Sequence, residues 1–190
     1  MTASHPLPLA SRSVSVLSLH ADLVRIPSLS FQEKPAADYV EAFLRGVDGL
    51  EVGRLDENVW ASLGDGTDDV LLLCSHLDVV PPSEDHPYPP FSPTTVDGAV
   101  YGRGAVDAKA SGAAMLTALA DLAASGWRPP AGGRLVVALT ECEETGAENN
   151  GMEKMRDRVF GDALPEPTAA LVGEPTELRP CLAQKGLLIL

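Results

Sequence analysis

The sequence predicts an α/β fold built on a mostly parallel, twisted sheet with helices on both faces. Three observations carry this reading. Val70-Leu71-Leu72-Leu73-Cys74, Leu135-Val136-Val137-Ala138-Leu139 and Ala169-Ala170-Leu171-Val172 are continuous apolar runs, the pattern of strands buried on both faces. A helical stretch rich in small residues lies between the first two runs. Strand, helix, strand, helix, strand is the order that right-handed crossovers build into one sheet.

The elements follow in order. Leu17, Leu23 and Val24 recur at helical spacing from Val14 to Val24, and Pro27 marks the end of that helix. A second helix is expected from Pro35 to Leu44, with Ala36, Tyr39, Val40 and Phe43 on one side. Val59 to Leu63 reads as a short strand. Residues 81–98 carry six prolines and read as a loop, long enough to suggest a functional role. A helix then runs from Asp107 to Ala124, its small residues suited to close packing on the sheet. The terminal Gly186-Leu187-Leu188-Ile189-Leu190 reads as a strand whose apolar edge would favour self-association.

Composition narrows the function. The chain has 190 residues, 45% hydrophobic and 22% charged, which suits one globular domain with a sizeable core. Its 27 acidic and 14 basic residues leave a net charge of -13, a field that repels nucleic acid. The first thirty residues form no signal-peptide core, and no apolar stretch reaches the roughly 18 residues of a membrane span. Cys74, Cys142 and Cys181 are widely spaced and read as core thiols of a reducing, cytoplasmic compartment.

In open α/β sheets ligands bind beyond the carboxyl ends of the strands. There the first run is followed by Ser75-His76-Leu77-Asp78, the second by Thr140-Glu141-Cys142-Glu143-Glu144 and the third by Gly173-Glu174, while Asp107 opens the intervening helix. Each has a simpler explanation alone: a hydrogen-bonded His-x-Asp pair, a helix N-cap, solvated glutamates, a turn before Pro175. Their coincidence at one end of successive strands argues against all four. One imidazole and several carboxylates on one edge repel unless a cation sits among them. His76 and Asp78, two apart, would share a side, so that the carboxylate holds one ring nitrogen while the other binds metal. Mixed nitrogen and oxygen ligands favour zinc, with cobalt or manganese as substitutes. Of Glu143 and Glu144, one would bind metal and the other act as general base, a hydrolytic division of labour.

Other motifs carry less. Gly102-Arg103-Gly104-Ala105-Val106-Asp107-Ala108-Lys109 lacks the glycine a phosphate loop needs before its lysine. His86 reads as a surface residue, and His5 and His20 have no acidic residues arranged around them.

The segments SHLDVVPP, PPFSP, DGAVYGRGAVDAKAS, TECEETGAENNG and VGEPT resemble, in order and spacing, the M20 family of metallopeptidases and amidohydrolases. The branch they resemble most is that of acetylornithine deacetylase and succinyl-diaminopimelate desuccinylase. The resemblance implies a three-layer α/β catalytic domain with two zinc ions bridged by Asp107. His76 and Glu174 would complete one metal site, Glu144 would bind the second metal, Glu143 would be the general base and Asp78 would orient His76. The implied reaction is hydrolysis of the amide bond of N-acyl amino acids or small peptides. Family members run to about twice this length. They insert a dimerisation (lid) domain after a segment like Ala183-Gln184-Lys185-Gly186, then return to supply a last histidine ligand. No histidine follows His86 here, so residues 1–190 are expected to be the N-terminal part of such a domain, with one well-formed metal site and one weak one. The alternative is a non-catalytic, metal-binding or self-associating remnant.

Overall fold

The computed structural model describes residues 15–145 and 149–177, with Arg179 and Cys181. The expected strand at Gly186–Leu190, its role in self-association, and His5 lie outside the described residues.

Among the described residues the order is α1 (Val16–Arg25), α2 (Lys34–Arg45), β1 (Glu51–Leu55), β2 (Asn58–Leu63), β3 (Asp69–His76), β4 (Thr94–Val96), β5 (Ala99–Tyr101), α3 (Lys109–Ala124), β6 (Gly133–Thr140), α4 (Gly151–Arg158) and β7 (Ala169–Val172). β1, β2, β6, β3 and β7 form one sheet in that order, and β4 pairs with β5 separately. The α/β class and the flanking helices are as expected. The sheet, however, is mixed. β3 is parallel to β6 and β7, whereas β1–β2 and β2–β6 are antiparallel. A hairpin turn at Asp56, with φ 52°, sends β1 back along β2, and neither strand needs a crossover helix.

Two hydrophobic layers cover the sheet. On one face Leu19, Leu23, Val40, Leu44, Leu116 and Leu119 from α1, α2 and α3 pack on Val59, Leu63, Val137 and Leu139. On the other, Met155 of α4 and the following Val159, Phe160 and Leu164 pack on Trp60, Val70, Leu72, Val136 and Ala138. Alternation along β2, β3 and β6 feeds both layers, whereas all four residues of β7, at the sheet's edge, are exposed, against the expectation of a strand buried on both faces. No helix among the described residues is long and apolar enough to cross a membrane.

Several local expectations are corrected. β3 is not buried on both faces throughout: Leu71 is 41% exposed, in an apolar groove shared with Leu73, Leu122, Trp127 and Pro129. The end of the proline-rich segment forms β4, because Asp97 and Gly98, both at positive φ, make a tight turn into β5. Helix α4 went unread because its face toward the core is short. Its signal is Asn150, whose side chain accepts from the Met152 and Glu153 amides as an N-cap. Cys181 is exposed rather than a core thiol, lying beyond β7 and outside both hydrophobic layers, while Cys74 and Cys142 are buried.

Candidate active site

Parallel pairing brings the ends of three strands together. His76 ends β3 opposite Thr140, which ends β6. The Gly173 amide donates to the Cys74 carbonyl at 2.7 Å, continuing β7 along β3 and placing Glu174 at the same edge. Asp107 comes from the turn before α3. That turn is tied to β3 and β7 by the Ser75 hydroxyl, which donates to the carbonyls of Ala108 at 3.4 Å and Gly173 at 3.1 Å.

His76, Asp107 and Glu174 each offer a ligand atom, all within 4.8 Å of one another. From His76 Nε2 the distances are 3.1 Å to Asp107 Oδ1, 3.8 Å to Glu174 Oε1 and 4.0 Å to Glu143 Oε2. His76 is buried, whereas the side chains of Asp107, Glu143 and Glu174 are partly open to solvent. Asp107 is not the N-cap of α3, a position held by Ala108. It is turned toward the histidine instead.

The donor set fits a cation. His76 Nδ1 lies 2.9 Å from the backbone carbonyl of Asp78, an acceptor that requires a proton on that nitrogen. In the neutral ring, Nε2 then presents a lone pair to Asp107, Glu174 and Glu143. Four acceptors facing one point are stable only with a proton or a metal ion between them. Without metal, burial works against a charged ring, but the hydrogen bond and charge of Asp78, then the charges of Glu174 and Glu143, outweigh it and push His76 up to about 9. Burial pushes Glu174 above the usual carboxylate range, and the charges of Glu143, Asp107 and Glu144 add to it. Glu144 is likewise raised, by burial first and then by Asp107.

Asp78 does more than face the imidazole. Its Oδ1 is 3.4 Å from His76 Nδ1. The same carboxylate accepts the Glu143 amide at 3.0 Å, the Glu144 amide at 3.1 Å and the Ser30 hydroxyl at 2.8 Å. Burial opposes its ionisation, yet the hydrogen bonds from His76, Ser30 and the Glu143 and Glu144 amides hold its pKa below the usual carboxylate range. The ring is thus held by the backbone of Asp78, and the turn carrying the two glutamates by its side chain. Glu144 stands outside the His76–Asp107–Glu174 group and is tied to the site by its amide.

Among the described residues, the other two histidines are structural. His20 Nε2 pairs with the Ala105 carbonyl at 2.8 Å in the core, and His86 Nδ1 with the Tyr88 carbonyl at 2.7 Å in the loop. Lys109 of the glycine-containing segment is buried, its Nζ donating to the Leu23 and Ile26 carbonyls, so it does not face a phosphate site. Sequence reading overlooked Ser30, Glu33 and Asn58, which contact the site's supports from elements far away in the chain. The residues themselves carry no local signal of that contact.

Known proteins share this fold. The family model described as peptidase family M20/M25/M40 matches residues 72–183. Among solved structures, human carnosine dipeptidase 1 is 25% identical, with a TM-score of 0.60 over 77% of this chain and 36% of its own. The M20 family metallo-carboxypeptidase Sso-CP2 of Sulfolobus solfataricus is 20% identical, with a TM-score of 0.66 over 84% of this chain and 37% of its own. A dinuclear metal binding M20 peptidase of Bacillus subtilis is 22% identical, with a TM-score of 0.54 over 76% of this chain and 38% of its own. The chain therefore spans little more than a third of the length of these structures. Dipeptidases and carboxypeptidases among them leave the narrower deacetylase branch without specific support. With the family match covering more than half of the sequence, this chain belongs to peptidase family M20/M25/M40, whose members are peptidase hydrolases.

Proposed function

We propose that the chain carries the metal-holding and base-bearing part of a hydrolase that cleaves the amide bond of an N-acyl amino acid or a small peptide. The observation that carries this reading is the set of three carboxylates around His76 Nε2, at the ends of neighbouring strands. His76, Asp107 and Glu174 would hold one divalent cation, and Asp107 with Glu144 would contribute to a second. Zinc, or cobalt or manganese in its place, would polarise the scissile carbonyl and acidify water at the site.

Glu143 would act as the base, taking a proton from the attacking water on its free carboxylate oxygen. As the water oxygen bonds to the carbonyl carbon and the C–N bond breaks, Glu143 would return that proton to the leaving amine. Asp78 supports both partners, through its carbonyl to His76 and its carboxylate to the Glu143 amide.

The chain's limited share of its structural neighbours supports reading it as the N-terminal part of a larger catalytic unit. Its free thiols suit a reducing compartment such as the cytoplasm. The test is hydrolysis of a panel of dipeptides and N-acyl amino acids, acetylornithine and succinyl-diaminopimelate included, with zinc or cobalt added. Stoichiometric metal binding with no turnover on any member would favour the non-catalytic reading.

A further inference from the structure

The turn that carries Glu143 and Glu144 follows the last residue of β6, yet each of its four leading amides is accepted by a side chain from elsewhere. The Glu141 amide donates to Asn58 Oδ1 at 3.1 Å and the Cys142 amide to Glu33 Oε1 at 3.0 Å. The next two donate to the two carboxylate oxygens of Asp78. Ladder hydrogen bonds are thus replaced, residue by residue, by buried acceptors from the residue before α2, from β2 and from the segment just after β3.

Glu33 has the most telling place among them. It is 1% exposed, lies directly before α2, and accepts both the amide and, at 3.4 Å, the thiol of Cys142. Its backbone carbonyl accepts the Ala36 and Ala37 amides, which fixes its main chain to the helix. Cys142 has φ 51°, a left-handed conformation that strains a non-glycine residue and persists only where its surroundings impose it. That conformation lies directly before Glu143 in the chain.

Glu33, Glu141 and Cys142 also present ligand atoms within 4.8 Å of one another. Their hydrogen bonds assign them another task. Glu141 is engaged by Asn58 and Lys154, each at 2.8 Å, and Glu33 by the two donors of Cys142.

We propose that Glu33 is a positioning residue: by accepting the Cys142 amide it imposes the left-handed turn that aims Glu143 at the site. The structural half of this inference stands alone, and the catalytic half rests on the hydrolase reading above. A displacement of about 1 Å in a catalytic group lowers a rate by roughly 100-fold, so loss of the Glu33 acceptor should reduce kcat by about 10- to 100-fold with little change in KM.

The test compares wild type, Glu33→Ala and Glu33→Gln in the full chain. Amide hydrogen exchange is followed without metal, and kcat and KM are measured with zinc on a substrate that wild type hydrolyses. The expected result is a slowly exchanging Cys142 amide in wild type. In Glu33→Ala, exchange at residues 142–144 should rise by roughly tenfold or more while β3 and β6 stay protected, and kcat should fall. Glu33→Gln keeps an acceptor oxygen and should recover most of both. Free exchange of the Cys142 amide in wild type, which requires no variant to fold, would overturn the proposal. So would unchanged exchange at 142–144 in Glu33→Ala, unchanged kcat despite faster exchange, or a Glu33→Gln protein as impaired as Glu33→Ala. A wild type inactive on every substrate would end the hydrolase reading by itself, with the exchange data still deciding whether Glu33 holds the turn.

Discussion

His76 Nε2 stands 3.1 Å from Asp107 Oδ1, although one residue ends a sheet strand and the other precedes a helix thirty-one positions later. The other ring nitrogen, Nδ1, is held by the Asp78 carbonyl. Metal-free and metal-loaded protein should therefore respond to pH with opposite signs.

Without metal, the folded state raises the His76 pKa from 6.5 to about 9. The folded protein then binds more protons than the unfolded chain, so this contribution is complete below about 6.5 and is lost as pH rises through 9. Glu144 and Glu174, also raised, lose stability in the same direction at lower pH, above their ordinary value of 4.5. Zinc binds the deprotonated ligands, so its stabilisation should grow with pH across the same range. Denaturant melts from about pH 6.5 to 8, with chelator or with saturating zinc, check this; a metal-free protein that gains stability over that range would contradict it.

Glu143→Ala should lose turnover by about 100- to 10,000-fold, the usual contribution of a general acid–base group, while binding the same number of zinc ions. Its side chain approaches His76 only to 4.0 Å, outside the three-residue group. Calorimetric zinc titration and kcat measured on the same preparation separate the two effects. Lost zinc stoichiometry would make Glu143 a ligand instead.

Gly173→Ala should weaken zinc binding by roughly 10-fold or more, in the manner of residues that support metal ligands. A methyl group added there would come within 2.8 Å of Met115 Cε and Ser111 Cβ, displacing the backbone just before Glu174. Overpacking of this kind costs about 1–3 kcal/mol, so the melting temperature should fall modestly as well. Unchanged zinc affinity would show that α3 yields without moving Glu174.

Lys109→Met should destabilise the protein by about 1–3 kcal/mol at neutral pH, because the Leu23 and Ile26 carbonyls lose their charged donor. Burial lowers the Lys109 pKa from 10.5 to about 8. The unfolded chain then binds more protons between those values, so wild-type stability receives a rising contribution from pH 8 to 10.5 that the variant lacks. Chemical denaturation of both proteins across that range measures the difference.

Much of the site was legible in the sequence because its chemistry sits at strand ends. The apolar runs at Val70–Cys74, Leu135–Leu139 and Ala169–Val172 all became strands, and His76, Glu143 and Glu174 follow them at one edge. What escaped were the pieces whose meaning is not periodic. β1 is polar and takes its place from a hairpin, and β4 and β5 depend on a two-residue turn. α4 buries only Gly151 and Met155 within its length. The dual use of Asp78 was also hidden, because spacing indicates which side a residue faces and not which amides wait there.

The sequence by itself determined the α/β class, the family and the acidic and imidazole groups that gather at the sheet edge, since apolar runs and residue chemistry are local properties. Only the tertiary structure decided the mixed direction of the sheet, the turn of Asp107 toward His76, and the grip of Glu33, Asn58 and Asp78 on the four amides from Glu141 to Glu144. Those contacts join residues up to 109 positions apart. Hydrogen bonds across such separations exist only once the hydrophobic layers have brought the elements together, which is why no local pattern announces them.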